Sequence, residues 1–352
     1  MSGDKQHFIP QFLLRNFAVR KGNKPARVFV YPKDRAAFRT STSNITAERH
    51  FYSQPSNDGQ ATLDDEITKF ENRIAETINT IGKASPDDHL NSNQVAETVA
   101  HFCIRQATIR HITSQTFDKI SEIADTTFTD ERKAWAAFGL HHNHASGVTL
   151  ESLEKLYDEH KVSIQSKGFY SKEAFVESAF AWTKKNFLQN FSNSKPQTEA
   201  LLKELKKFAA EVPRNAHLKA LRQGLAPTPR IEPLAKMSWV LRAFEENQLI
   251  LPDCIAVGLF TDGSADPLLF SPQPDFVAMP VRHDLAIVGC KDNEVPNLSH
   301  EQLNAAFAKS SSDFFVARSD SQEFKQLHTK IGTGPKSKID GMFEEVIRDL
   351  GW

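Results

Sequence analysis

The sequence predicts an α+β fold, a helical middle block packed on a mixed or antiparallel sheet built from N-terminal and C-terminal strands. Three observations carry this. Short β-type runs gather near both ends of the chain. The middle repeats apolar residues at helical spacing. Dinucleotide and α/β-hydrolase glycine motifs (GxGxxG, GxSxG) are absent, which argues against a Rossmann cofactor site and an α/β-hydrolase elbow. The expected organisation is one unit over 1–352. Its sub-regions are 1–60 (N-terminal motif and strands), 62–231 (helical block) and 232–352 (sheet-rich part).

Taken in order, Pro10 suits a first helical position, and Leu13, Leu14 and Phe17 then share a face. Arg27-Val28-Phe29-Val30-Tyr31 reads as a strand ended by Pro32, and Phe51-Tyr52 as a second one. Leu63, Ile67, Phe70, Ile74, Ile78 and Ile81 recur at intervals of 4, 3, 4, 4 and 3, the clearest amphipathic pattern in the chain. Thr62 is its expected N-cap and Gly82 its stop. A second helix starts near Asn93, with Val95, Val99, Phe102, Gln106 and Ile109 on one side.

Further helices are expected at 131–140, 150–160, 172–191 and 199–211. The Pro-rich piece 224–229 reads as a linker. Beyond it, Trp239–Leu241, Ile255–Phe260, Phe276–Met279 and Leu285–Val288 are strand runs. Ser299 with Gln302 resembles a capping box before a helix to about 310. Phe314–Ala317 is a strand, and Ile339–Leu350 a terminal helix. The first strands are expected to join the late ones.

Composition narrows the function classes. The chain has 43 Lys+Arg against 44 Asp+Glu, a net charge of −1, so a globally basic nucleic-acid surface is absent while a local patch stays open. Phe outnumbers Tyr and Trp, 26 against 4 and 4, which makes most rings core filler. The three cysteines, Cys103, Cys254 and Cys290, are far apart, which suits a reducing compartment and neither a disulfide framework nor a zinc site. No signal peptide and no apolar run near the roughly 18 residues of a spanning helix is present, so the cytoplasm is the expected location and a membrane is not an expected partner. His141-His142-x-His144 has no further ligand at useful spacing, so no metal and no cofactor is expected. Gly332-Thr333-Gly334-Pro335-Lys336 lacks P-loop spacing.

The residues that could carry chemistry begin in the run His7-x-x-Pro10-x-x-x-Leu14-Arg15-x-Phe17. Gln11 and Arg15, four apart, share a helix face, and Arg15 among Leu13, Leu14 and Phe17 is expected to be partly buried. A buried guanidinium needs a carboxylate, carbonyls or a phosphate. Gln106 and Arg110 repeat the spacing, and Glu71 lies at the edge of an apolar stripe.

The N-terminal run resembles the opening signature of the mostly bacterial domain-of-unknown-function family 4238. Ala47-Glu48-Arg49-His50-Phe51-Tyr52 is similar to the acidic-then-Phe-Tyr element that follows in that family. Glu71, Gln106, Arg110, Trp239, Leu251-Pro252-Asp253 and Pro280–Leu285 stand at similar places. The family tends to follow that Asp with Asn-Pro, whereas Cys254-Ile255 follow here, which weakens any turn or ligand role for Asp253. It implies a shared fold and a shared polar cluster, and no activity.

Two functional classes follow. In the first, His7, Gln11, Arg15, Glu48, Glu71, Gln106 and Arg110 converge on an anionic ligand, a nucleic acid or nucleotide. Hydrolysis of nuclease or phosphodiesterase type would then use His7 and Glu71, with the arginines on phosphate oxygens. In the second, the chain is a non-catalytic interaction or regulatory module, and pairs such as Arg15–Glu71 or Arg110–Glu48 tie the N-terminus to the helical block.

Overall fold

A computed structural model describes residues 5–49, 62–291, 296–334, 340–341 and 343–344. In chain order the elements are β1 (Lys5–His7), α1 (Gln11–Asn16), β2 (Arg27–Pro32), β3 (Phe38–Ser41), β4 (Ala47–Arg49), α2 (Leu63–Ile81), α3 (Ser92–Arg105) and α4 (Thr108–Thr129). Then come α5 (Glu131–Ala137), α6 (Gly147–Glu159), α7 (Lys161–Ser166), α8 (Lys172–Gln223) and α9 (Thr228–Ala235). The last part holds β5 (Ser238–Ala243), β6 (Leu251–Pro252), β7 (Val257–Leu259), β8 (Ala265–Pro267), β9 (Phe276–Arg282), β10 (Leu285–Cys290), α10 (His300–Ser310), β11 (Phe314–Ala317) and α11 (Gln322–His328). The fold is α+β, with central helices and antiparallel sheets made from N- and C-terminal strands. The expected strand at Phe51-Tyr52 lies outside the described residues, as does all of the terminal helix except 340–341 and 343–344, which are helical.

The chain divides into two compact units, 1–112 with 213–338, and 113–212 with 339–352. In the first, β5-β10-β9-β7-β8 form one antiparallel sheet and β3-β2-β11-β6 another. The early strands do join late ones: Phe315 pairs with Tyr31 and Val316 with Val30. A small third ladder pairs β1 with β4. The core is continuous from Leu13, Leu14 and Phe17 through Trp239 and Ile287 to Phe307 and Phe315, all 0% exposed.

Helix α2 follows the isoleucine spacing, burying Ile67, Ile74, Ile78 and Ile81. Thr62 caps it reciprocally: its hydroxyl accepts from the Asp65 N–H at 3.2 Å, and Asp65 Oδ2 accepts from the Thr62 N–H at 3.0 Å. Gly82 closes it. The Ser299–Gln302 capping box also forms.

Three expectations are corrected. The second helix does not run through to Ile109. It stops at Arg105, Gln106 is extended (φ −71°, ψ 150°), and Arg110 belongs to α4, so these two residues are not four apart on one helix. The stretches 172–191 and 199–211 are one helix of 52 residues, α8, which carries Pro196 and Pro213 inside it. Each proline removes a single N–H, and the remaining ladder continues around it. The 224–229 piece is no linker. Pro229 sits in the first turn of α9, where a missing N–H costs nothing, and the Leu225 carbonyl accepts from buried His101 on α3.

In the second unit, Ala134, Leu140, Phe180 and Phe187 form a small apolar core, with Trp135 and Phe191 packed on it. Tyr157, 3% exposed, donates to the Tyr170 carbonyl at 3.1 Å.

Gly289 faces Trp239 directly across the β10–β5 ladder. A Cβ there would lie 2.8 Å from two atoms of the buried indole ring, which is held by its own Nε1–H bond to the Leu234 carbonyl. Gly289→Ala is therefore expected to cost about 2–3 kcal/mol by overpacking. Urea denaturation would show it, and adding Trp239→Leu should restore part of the loss.

Candidate functional site: a cationic cleft beside the first helix

Pro10 accepts the N–H groups of Leu13 and Leu14 and so starts α1. Leu13 and Leu14 then turn into the core. The opposite face carries Gln11 and Arg15. Gln11 Nε2 donates to the Thr42 carbonyl at 2.6 Å and lies 3.2 Å from His7 Nε2. His7 Nδ1 lies 3.0 Å from the Ile45 carbonyl. That geometry fits an Nδ1–H tautomer whose Nε2 accepts from Gln11. His7 and Gln11 thus fasten α1 to the segment after β3.

Arg15 departs from expectation. It is exposed, not partly buried. Among the described residues it makes no ion pair and no side-chain hydrogen bond. It lines an open cleft of about 560 Å³ together with Gln11, Arg20, Lys24, Ser41 and Ser43. Among the described residues, no carboxylate lines that cleft. Its surroundings are cationic as well. Between Phe8 and Thr46 the sequence has Arg15, Arg20, Lys21, Lys24, Arg27, Lys33, Arg35 and Arg39 against the single acid Asp34. All eight cations are exposed, and none is ion-paired among the described residues. In the β2–β3 ladder Arg27 pairs with Ser41 and Phe29 with Arg39 on one face. The Arg39 guanidinium stands 5.6 Å from the half-buried Phe29 ring.

Of the other expected site residues, Glu71, Gln106 and Arg110 do not line that cleft. Arg105 Nε donates to Glu71 Oε1 at 2.8 Å, and His101 Nε2 lies 3.8 Å from the same oxygen. Arg105 is 3% exposed and His101 0%. Burial alone would push the Glu71 carboxyl up, but the Arg105 guanidinium and then His101 outweigh it and hold it below the usual carboxylate range. Asp64 on α2 has its carboxyl raised by burial, with Arg105 opposing. Glu71 therefore pairs with Arg105, and not with Arg15. Gln106, fully buried, donates to the Cys103 carbonyl at 2.9 Å and closes α3. The Arg110 guanidinium stands 6.0 Å from the Phe8 ring centre. The side chain of Glu48 lies outside the described residues.

The apolar spacing of α3 predicts a single buried face, and Arg105 and His101 lie off that face. In the structure every residue from Thr98 to Arg105 is buried, so its polar positions needed partners too. The available signal was the His101–Arg105 spacing of four beside the apolar stripe. Arg20 and Lys24 give no such signal, because the patch is local while the net charge is −1.

Among the described residues, no helix is long and apolar enough to cross a membrane, and no three His, Cys, Asp or Glu side chains gather as metal ligands.

Fold and cleft define an α+β protein with a cationic recess beside its first helix. The chain belongs to the protein family of unknown function DUF4238, which it matches over residues 5–329. No curated protein and no solved structure matches it.

Proposed function

We propose that the α1/β2–β3 surface binds a phosphate-bearing polyanion, a nucleic acid before a free nucleotide. The observation that carries this reading is Arg15. In the run His7-Pro10-Leu14-Arg15-Phe17 the fold uses every other side chain: His7 as a tie, Pro10 as the helix start, Leu14 and Phe17 as core. Arg15 alone is left facing a cleft, with Arg20 and Lys24 beside it. Guanidinium groups are suited to bidentate contacts with phosphate oxygens, and the Ser41 and Ser43 hydroxyls add donors. Phe29 under Arg39 offers a ring on which a base can stack. Both His7 ring nitrogens are engaged and Glu71 is held in the buried cluster, which favours binding over proton transfer.

The test is fluorescence anisotropy with labelled single- and double-stranded oligonucleotides across a salt series, with ATP as competitor. Arg15→Ala is expected to weaken binding about threefold to tenfold. Combined replacement of Arg15, Arg20 and Lys24 by Ala should weaken it about 100-fold at low salt and flatten the salt slope by roughly 2–3. No binding by the parent protein, or equal binding by the triple variant, removes the reading. The rival, an interaction module, would then stand. It draws support from the apolar side chains that α8 exposes, among them Trp182 (61%), Leu188 (55%) and Leu201 (62%).

A further inference from the structure

We propose that the cavity between α9 and the 268–274 segment binds a small amphipathic monoanion, a medium-chain carboxylate, with Arg230 holding the head group and the apolar walls holding the tail. The cavity measures about 470 Å³ and lies in the first unit. That volume falls in the range of small-molecule sites, roughly 300–1,000 Å³. It lies in a different place from the cationic cleft and does not depend on the reading of that cleft.

The walls are apolar and stiff. Leu234, Met237, Leu268 and Leu269 supply the hydrocarbon surface. Four prolines, Pro229, Pro233, Pro272 and Pro274, fix the backbone on both sides. Such walls keep a cavity open without a ligand and lower the ordering cost of filling it.

Within this lining Arg230 is the anomaly. It is half-buried. Among the described residues it makes neither an ion pair nor a side-chain hydrogen bond. Among the described residues that line the cavity, the other titratable groups are Lys291 and the Cys103 thiol, 1% exposed. Burial pushes that thiol up to about 12, so it stays neutral and offers the guanidinium no counter-charge. The other cation at the cavity, Lys291, is already occupied, donating to the Gln273 carbonyl at 2.9 Å with Asp275 Oδ1 at 3.9 Å. One open guanidinium on an apolar recess matches one carboxylate on an apolar tail. A polyanion fits poorly, because its remaining charges would face hydrocarbon.

The test uses decanoate, decanol and inorganic phosphate as probes in isothermal titration of the full chain. Decanoate is expected to bind in the micromolar range, and phosphate at least 100-fold more weakly. Arg230→Gln should weaken decanoate at least tenfold while leaving decanol unchanged. Leu269→Trp, which fills the recess and leaves the charge in place, should weaken decanoate and decanol alike, and circular dichroism would show that both variants fold. The proposal is overturned if the parent fails to bind decanoate, if Arg230→Gln binds it equally well, or if phosphate binds as tightly as decanoate. Equal decanoate binding by a folded Leu269→Trp protein would overturn it too.

Discussion

Asp253→Ala is expected to destabilise the first unit by about 3–5 kcal/mol and to lower its melting temperature by roughly 10 °C. Asp253 is 3% exposed and lies just after β6, beneath the start of β11. Its Oδ2 accepts the N–H groups of Ser312 (3.1 Å), Asp313 (2.6 Å) and Phe314 (3.1 Å), and its Oδ1 accepts Ser312 again at 2.9 Å. Alanine would leave the N–H groups of Ser312, Asp313 and Phe314 without this acceptor, and a buried N–H without a partner costs about 1–3 kcal/mol. Asn is the informative control. Burial pushes the Asp253 carboxyl up to about 7, with the three N–H groups pulling the other way, so near neutrality the side chain is partly a neutral acid. An amide places one oxygen where Oδ2 sits and should cost less than half as much as Ala. A raised carboxyl favours the folded state below its ordinary 3.8, and this contribution fades as pH rises through about 7. Differential scanning calorimetry would decide. An Ala protein melting within about 2 °C of the parent would mean that these bonds contribute little.

The turn that carries Asp253 also shows why the sequence did not reveal its role. Ile255–Phe260 reads as one strand, yet Ile255 has φ +59° and the strand covers only Val257–Leu259. A β-branched residue in that region is unusual, and no local pattern announces it. Helix α2 was legible because its isoleucines recur at the helical period and both of its ends carry capping chemistry. The joining of early and late strands was legible from the placement of β-type runs. The separation of those strands into two main sheets was not, because a run does not state its neighbour.

At the candidate site, the face shared by Gln11 and Arg15 was legible from their spacing. Chain neighbours do not set the exposure of Arg15: Leu14 is adjacent in sequence but about 100° away around the helix. The grouping of Gln106 with Arg110 failed because the α3–α4 break falls between two segments that are both good helix formers. Gln106 itself supplies the cap there, through a side-chain bond to a carbonyl three residues back.

Acidification is expected to expose His217. Its ring is 0% exposed, lies in the part of α8 that belongs to the first unit, and bonds through Nε2 to the Ile104 carbonyl at 2.7 Å. Burial is the main cause that lowers its pKa from 6.5 to about 4. The Ile104 carbonyl opposes, and the nearby positive charges of Arg110 and Arg105 add to the lowering. The folded protein therefore keeps this ring neutral in a range where the unfolded chain protonates it. The stabilisation is complete above about pH 6.5 and is lost as pH falls through about 4, a total of about 3 kcal/mol. Asp253 has the opposite sign over the same interval, so the parent protein's stability should look flatter between pH 7 and 5 than either group alone would make it. Single replacements separate the two. His217→Gln keeps a donor for the Ile104 carbonyl and removes the titration. The gap between parent and His217→Gln in urea melts should shift by about 2 kcal/mol between pH 7 and pH 5, against the parent at the lower pH. The same comparison with Asp253→Asn should shift in the parent's favour. A constant gap for His217→Gln would mean that the ring accepts its proton in the folded state near its ordinary pKa, and that the Ile104 carbonyl and surrounding water offset two neighbouring guanidinium groups.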